Sequence, residues 1–161
     1  MKKVLGLGNA LTDMLLQVSE DDLRELGFPK GSMNLISMEQ AEQIQMRFAS
    51  VRKHMVAGGS ASNAINTIAA LGGKAAFIGK IGNDEVGDFY REDMLKNNVK
   101  PILLTSNKEM SGCSIVLITP DGERTFATYL GAASEMQADD IQKEDKARHF
   151  LSEHHNGDGK K

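Results

Sequence analysis

Short apolar runs and helical stripes alternate along this chain. Lys3 to Leu7 is a compact apolar run closed by glycine, and it predicts a buried strand. Thr12 to Val18 mixes polar and apolar positions, which suits a second, less buried strand. Asp21 to Leu26 predicts a short acidic helical turn stopped by Gly27 and Pro29, and Met33 to Ile36 a short apolar strand. Ser37 opens a helix: Gln40 stands at the capping-box position, and Ala41, Ile44, Phe48 and Val51 recur on one face. The next helix is expected to be capped by Ser60 or Ser62, to bury Ile65, Ile68, Ala69 and Leu71, and to end at Gly72-Gly73. Ala75 to Ile81 reads as a strand. Asn83-Asp84 caps a third helix reaching about Asn97, with Val86, Phe89, Tyr90 and Met94 as its apolar residues. Ile102 to Thr105, Cys113 to Ile118 and Thr125 to Leu130 are β-prone. Pro120-Asp121-Gly122 joins the last two as a hairpin turn, where proline presets one dihedral and glycine takes a positive φ. Helical propensity returns from Ala138.

This alternation predicts an α/β domain with a mostly parallel sheet. Two stretches break the pattern, Thr12 to Ile36 and Ile102 to Leu130, and these predict a small separate β-sheet projecting from the domain. A length of 161 residues fits one domain, and 40% hydrophobic content supports a packed core. A net charge of −3 with the two signs interspersed lacks the basic footprint that nucleic acid demands. The single cysteine, Cys113, sits in an apolar run and reads as a small buried hydrophobe. Lys2-Lys3 followed by Val4 to Leu7 mimics a secretory start, but Asn9 and Asp13 interrupt it. No apolar stretch reaches membrane-span length, so a cytoplasmic location is expected.

Two segments invite chemistry. Gly58-Gly59-Ser60-Ala61-Ser62-Asn63 places two glycines, which permit close backbone approach, directly before a helix whose free N–H groups face any ligand. Asn63 offers a donor and an acceptor suited to a sugar hydroxyl. On spacing alone the segment fits equally a tight turn with a serine cap and nothing bound. Gly6-Leu7-Gly8-Asn9-Ala10-Leu11-Thr12-Asp13 follows a strand, as a dinucleotide fingerprint would, but Leu11 stands where a third glycine or alanine is required. Asn9 and Asp13 suit either a polyol or turn backbone groups. Gly79 to Gly87 reads as a strand end, a turn and a helix cap. Arg124, past the hairpin turn, reads first as an exposed arginine and second as a phosphate contact. The pair His154-His155, and His149 with Glu153, lack further ligands at metal-site spacing.

Together these pieces resemble the ribokinase-like (PfkB) carbohydrate kinases, particularly their adenosine-kinase-like branch. The matches run in family order: Gly8-Asn9 with Asp13, Gly58-Gly59-Ser60 with Asn63, Leu71-Gly72, Gly79 to Gly87, Ser111-Gly112-Cys113, and Pro120 to Thr125. Ile65 departs from the family's usual small residue. The resemblance implies a doubly wound α/β domain with a small β-sheet lid, and phosphorylation of a primary hydroxyl of a sugar or nucleoside by ATP with Mg2+. It also implies substrate binding by Asn9, Asp13, Gly58, Gly59 and Asn63, and a phosphate contact at Arg124.

The family's catalytic base, an aspartate in a Gly-Ala-Gly-Asp motif, has no match. Gly131-Ala132-Ala133-Ser134 lacks the acid, and Asn156-Gly157-Asp158-Gly159 opens no helix. Residues 1–145 are therefore read as the substrate-binding and lid part of the fold, and residues 146–161 as a divergent, frayed tail. The expectation is a truncated kinase lacking its ATP-binding half and inactive alone. The alternatives are a non-catalytic sugar- or nucleoside-binding fragment, or a subunit completed by another chain. A sheet cut short exposes an edge, so self-association through that edge is also expected, and the resemblance implies a homodimer through the lid as the other route.

Overall fold

The computed structural model describes residues 3–142 together with 147, 149 and 150. In chain order the elements are β1 (Lys3–Leu7), β2 (Leu11–Gln17), α1 (Glu20–Glu25), β3 (Met33–Leu35), α2 (Met38–Arg47), β4 (His54–Gly58) and α3 (Ser60–Ala70). Then come β5 (Lys74–Ile81), α4 (Glu85–Lys96), β6 (Val99–Thr105), β7 (Gly112–Ile118), β8 (Arg124–Tyr129), a 3₁₀ turn over Gly131–Glu135 and α5 (Ala138–Gln142). They build two sheets.

The first sheet is parallel, in the order β1-β5-β6. β5 lies in the middle, which is why Ala75 to Ile78 form an unbroken buried run. Alternate residues serve opposite faces. Ala75, Phe77 and Ile81 pack with Ile65 and Ala69 of α3 and with Tyr90 and Met94 of α4. Ala76 and Ile78 pack on the other face with Ile102, Ala147 and Phe150. Ala147 and Phe150 belong to the segment read from sequence as a frayed tail, yet both side chains are buried here. Lys3 Nζ donates to the carbonyl of Phe150 at 2.6 Å and lies 5.0 Å above its ring. Glu153, His154, His155 and the Asn156 to Gly159 stretch fall outside the described residues. Truncating a fully enclosed side chain such as Phe77 would cost about 3–5 kcal/mol.

The second sheet is mixed, ordered β3-β8-β7-β2-β4, with β2–β7 and β3–β8 parallel and β2–β4 and β7–β8 antiparallel. Leu16, Ile115, Leu117 and Ala127 line one face and are covered by Leu23 of α1 and by Ala41, Ile44 and Phe48 at α2. Both covering helices start with reciprocal caps. Gln40 N–H donates to Ser37 Oγ at 3.2 Å while Ser37 N–H donates to Gln40 Oε1 at 3.0 Å. Ser19 and Asp22 form a second capping box, which the sequence reading did not include. The hairpin turn holds as expected: Gly122 has φ +85 and its N–H donates to Thr119 O at 2.8 Å.

Four expectations change. Ile102 to Thr105 belongs to the parallel sheet, not the projecting one, because α4 returns the chain beside β5 and Ile102 pairs with Ile78. Pro101 fits there because β6 is an edge. β4 was not foreseen; among the described residues it pairs with β2 alone, so nothing local announces it. Neither Ser60 nor Ser62 caps α3: the N-cap is Gly59, with no side-chain cap bond. Leu71 is 83% exposed, since the helix ends before its stripe reaches that position. The end itself follows the expected glycine pattern: Gly73 N–H donates to Ile68 O and Gly72 N–H to Ala69 O, both at 2.9 Å, with Gly72 at φ +82.

Candidate functional site

The site forms where β1 hands over to β2 and β4 to α3. Gly6 and Gly8 let α3 lie directly on β1: a Cβ at Gly6 would meet Ile65 at 2.4 Å, and one at Gly8 would meet Ala61 Cβ at 2.8 Å. These glycines serve helix–strand packing, and the chain continues into β2 rather than a helix, so no dinucleotide fingerprint forms.

Two contacts bring the expected residues together. A Cβ on Gly58 would lie 2.4 Å from Asp13 Cγ, so the missing side chain at Gly58 is the space that the Asp13 carboxylate occupies. Gly59 adopts φ +95, and a Cβ there would lie 2.6 Å from the carbonyl oxygen of Asn9. Asn63 follows one turn on. Its N–H donates to Gly59 O at 2.9 Å and its side chain is exposed, as is that of Asn9. Asp13 is half-buried, and burial holds its carboxyl above the ordinary value of 3.8. It forms no hydrogen bond or ion pair with any described residue. Asn9, Asp13, Gly58, Gly59 and Asn63 thus share one edge, where an acceptor carboxylate, two carboxamides and bare backbone meet at a helix start.

Buried groups hold this edge from behind. Ala57 N–H donates to Asp93 Oδ2 at 3.0 Å, and the Tyr90 hydroxyl reaches Gly58 O at 3.4 Å, so α4 fixes the approach of β4. Burial drives the Tyr90 phenol well above its usual range. Sequence reading took Tyr90 only as an apolar helix residue. Ser62 is fully buried, with its hydroxyl toward the Tyr90 phenol.

Asp84 works as a clasp between α4 and the entry to β7. Its carboxylate accepts from Gly87 N–H at 2.8 Å and Ser111 N–H at 2.7 Å, while Ser111 Oγ accepts from Gly82 N–H at 2.9 Å. Gly79 to Gly87 is accordingly structural. Cys113 is buried, which pushes its thiol up to about 11 and leaves it unreactive.

Arg124 does not join the cluster. It is exposed at the hairpin end of β8, level with Gln17 through Ile118, four residues along the strands from the row holding Asp13. That is about 13 Å along the strands and 10 Å across them. Two polar residues on Asp13's own row escaped the sequence reading: Ser114 and Thr128, whose hydroxyls are 2.8 Å apart. The available signal was a polar residue at an alternate position inside each apolar run. Among the described residues no three His, Cys, Asp or Glu gather in a metal-binding group. No helix among them is long and apolar enough to cross a membrane.

The family model described as pfkB family carbohydrate kinase matches residues 31–154. An aminoimidazole riboside kinase of Salmonella typhimurium is 40% identical over 74 residues, 45% of this chain and 23% of that protein. A probable fructokinase-2 of Arabidopsis thaliana is 34% identical over 80 residues, 49% of this chain and 24% of that protein. Among solved structures, adenosine kinase from Anopheles gambiae superposes with a TM-score of 0.81 at 25% identity, covering 91% of this chain and 44% of that one. A probable sugar kinase protein from Rhizobium etli gives 0.77 at 32% identity, covering 87% and 42%. The chain therefore spans under half the length of these solved structures, and its matched segment about a quarter of the curated relatives.

Proposed function

Since the chain belongs to the pfkB family of carbohydrate kinases, we propose that its cluster at Asp13 and Gly58-Gly59 is the acceptor site of an ATP-dependent sugar or nucleoside kinase. The observation that carries this reading is Gly58 giving up its side chain to an Asp13 carboxylate that no described residue engages. Keeping a carboxylate half-buried without a partner costs stability, which a ligand's hydroxyl donors would recover.

Vicinal hydroxyls donate to Asp13, each such charged hydrogen bond contributing about 1.5–3 kcal/mol. Asn9 and Asn63 offer carboxamides that complete the pairing in either direction. Gly59 lets the ring lie against the backbone at the start of α3. The work of this half is positioning, which presents the primary hydroxyl at a fixed place for transfer.

The family implies ATP and Mg2+ as the phosphate donor. The residues described here fit the acceptor and not the donor. Among the described residues no three His, Cys, Asp or Glu gather around Asp13, and the glycine-led helix start at α3 is already the acceptor edge. Gly131-Ala132-Ala133-Ser134 forms a 3₁₀ turn with its alanines buried and offers no base. No step is therefore assigned to the nucleotide. Residues 1–145 constitute the acceptor-binding and lid part, and Arg124 is a phosphate contact only if the second sheet closes toward the site.

Calorimetric titration with adenosine, ribose and fructose, beside an ATP-dependent phosphorylation assay, tests this. Binding of at least one acceptor without turnover is expected. Heat from none of them sinks the acceptor site; phosphate transfer by the chain alone overturns the assignment of missing catalytic parts.

A further inference from the structure

β4 is an outer strand of the second sheet, paired with β2 on one side and with no strand on the other among the described residues. Its last two residues, Ala57 and Gly58, are nevertheless buried. Buried backbone groups at a sheet edge need partners from elsewhere. α4 supplies them. Asp93 Oδ2 accepts from Ala57 N–H at 3.0 Å, and the Tyr90 hydroxyl donates to Gly58 O at 3.4 Å. Positions 90 and 93 stand three apart on one helix and so share a face. Tyr90 is itself well held. It is 1% exposed, its ring centre lies 6.2 Å from that of Phe77, and the Ser62 hydroxyl of α3 lies toward its phenol.

These contacts act on the part of the site that determines its own shape least. Two consecutive glycines have no Cβ to restrict φ and ψ, so their conformation is set by whatever holds them. Here one partner holds each of three consecutive residues. Asp93 holds Ala57, Tyr90 holds Gly58, and Asn63 N–H donates to Gly59 O at 2.9 Å. Gly58 is the residue whose bare Cα leaves room for the Asp13 carboxylate. A shift of Gly58 therefore moves the wall against which that carboxylate rests. Apparent affinity falls with the fraction of molecules whose site is already in the binding shape.

We infer that Tyr90 and Asp93 are positioning residues for the acceptor, holding the Ala57-Gly58-Gly59 backbone in the shape that the ligand needs. This rests on the acceptor site proposed at Asp13. The test is calorimetric titration of the whole chain with adenosine, ribose and fructose, in wild type, Tyr90→Phe, Asp93→Ala, Asp93→Asn and Met94→Leu. For each acceptor that wild type binds, Tyr90→Phe and Asp93→Ala should weaken affinity about three- to tenfold, the worth of one net hydrogen bond. Asp93→Asn keeps an acceptor oxygen and should restore affinity to within about twofold of wild type. Met94→Leu disturbs the same buried helix face without touching a polar contact, and should also stay within about twofold. Amide exchange of the unliganded chain gives a second readout. In Tyr90→Phe and Asp93→Ala, Asn63 N–H should exchange faster although its own partner is untouched, while Gly73 N–H at the far end of α3 keeps its rate.

Wild-type affinity in both Tyr90→Phe and Asp93→Ala overturns the inference and leaves the acceptor site standing. An equal loss in Met94→Leu, or no recovery in Asp93→Asn, overturns it by showing a general structural role. Unchanged exchange at Asn63 overturns it as well. Binding of no acceptor by wild type removes the Asp13 site itself, and the inference with it.

Discussion

Asp13 and Gly58 share one space: the carboxylate of the first fills the position that a side chain on the second would need, 2.4 Å from Asp13 Cγ. Gly59 differs, because its Cβ would meet the backbone oxygen of Asn9 at 2.6 Å and its φ is +95. A side chain can swing away and a backbone carbonyl cannot. Gly58→Ala is therefore expected to cost only about 1 kcal/mol of stability while abolishing acceptor binding. Gly59→Ala should cost about 1–3 kcal/mol as well as binding. Urea denaturation and titration with the acceptor separate the two.

Burial raises the Asp13 carboxyl above 3.8, and the sign of its effect follows. Both states are protonated below 3.8, so Asp13 costs nothing there. As pH climbs through the raised value, the folded state must hold a desolvated charge, and stability falls. Asp13→Asn should stabilise the protein at neutral pH, with the gain vanishing below 3.8 in melts run across that range. Acceptor binding, which uses the charged form, should weaken in wild type as pH falls through the raised value and be poor in Asp13→Asn throughout.

Asp84 accepts from Gly87 and Ser111 N–H groups on two separate elements. Asp84→Ala removes a helix cap and orphans a part-buried N–H, for an expected loss of about 2–3 kcal/mol. Chemical denaturation measures it. Hydrogen exchange should show Ser111 N–H losing protection together with that of Gly87.

Asp121 is held down to about 2 by hydrogen bonds from Lys30, from the Thr119 hydroxyl and from Glu123 N–H. Its contribution is present above 3.8 and is lost as pH falls toward 2. Lys30 joins it to Glu20 of α1, so the hairpin tip is tied to that helix. In an NMR titration Lys30→Ala should move the Asp121 midpoint up toward 3.8.

β3 is an edge strand, with Met33 65% and Leu35 64% exposed. Such an edge favours pairing with a second copy, and concentration-dependent self-association in sedimentation is expected. Met33→Lys with Leu35→Lys should shift the population toward monomer.

Local rules reached far into this protein. Periodicity placed α2 and α4 and their buried faces. Turn chemistry placed the β7–β8 hairpin, while spacing left the Gly58-Gly59 and Asp13 segments open between a bare turn and a ligand-facing edge. What failed were properties set at long range. β4 exists because β2 pairs with it, and Ile102 joins Ile78 because a helix carries it there. Neither partner is near in sequence, so no window of local pattern contains the information. The cap at α3 failed because Gly59, packed on Asn9, holds a backbone conformation that the serine rule did not anticipate. Residue types, spacing and class of chemistry were thus determined by the sequence itself. The joining of Asp13 to Gly58, the distance of Arg124 from both, and the row through Ser114 and Thr128 were decided only by strand register. One residue of slip in that register turns every side chain to the opposite face.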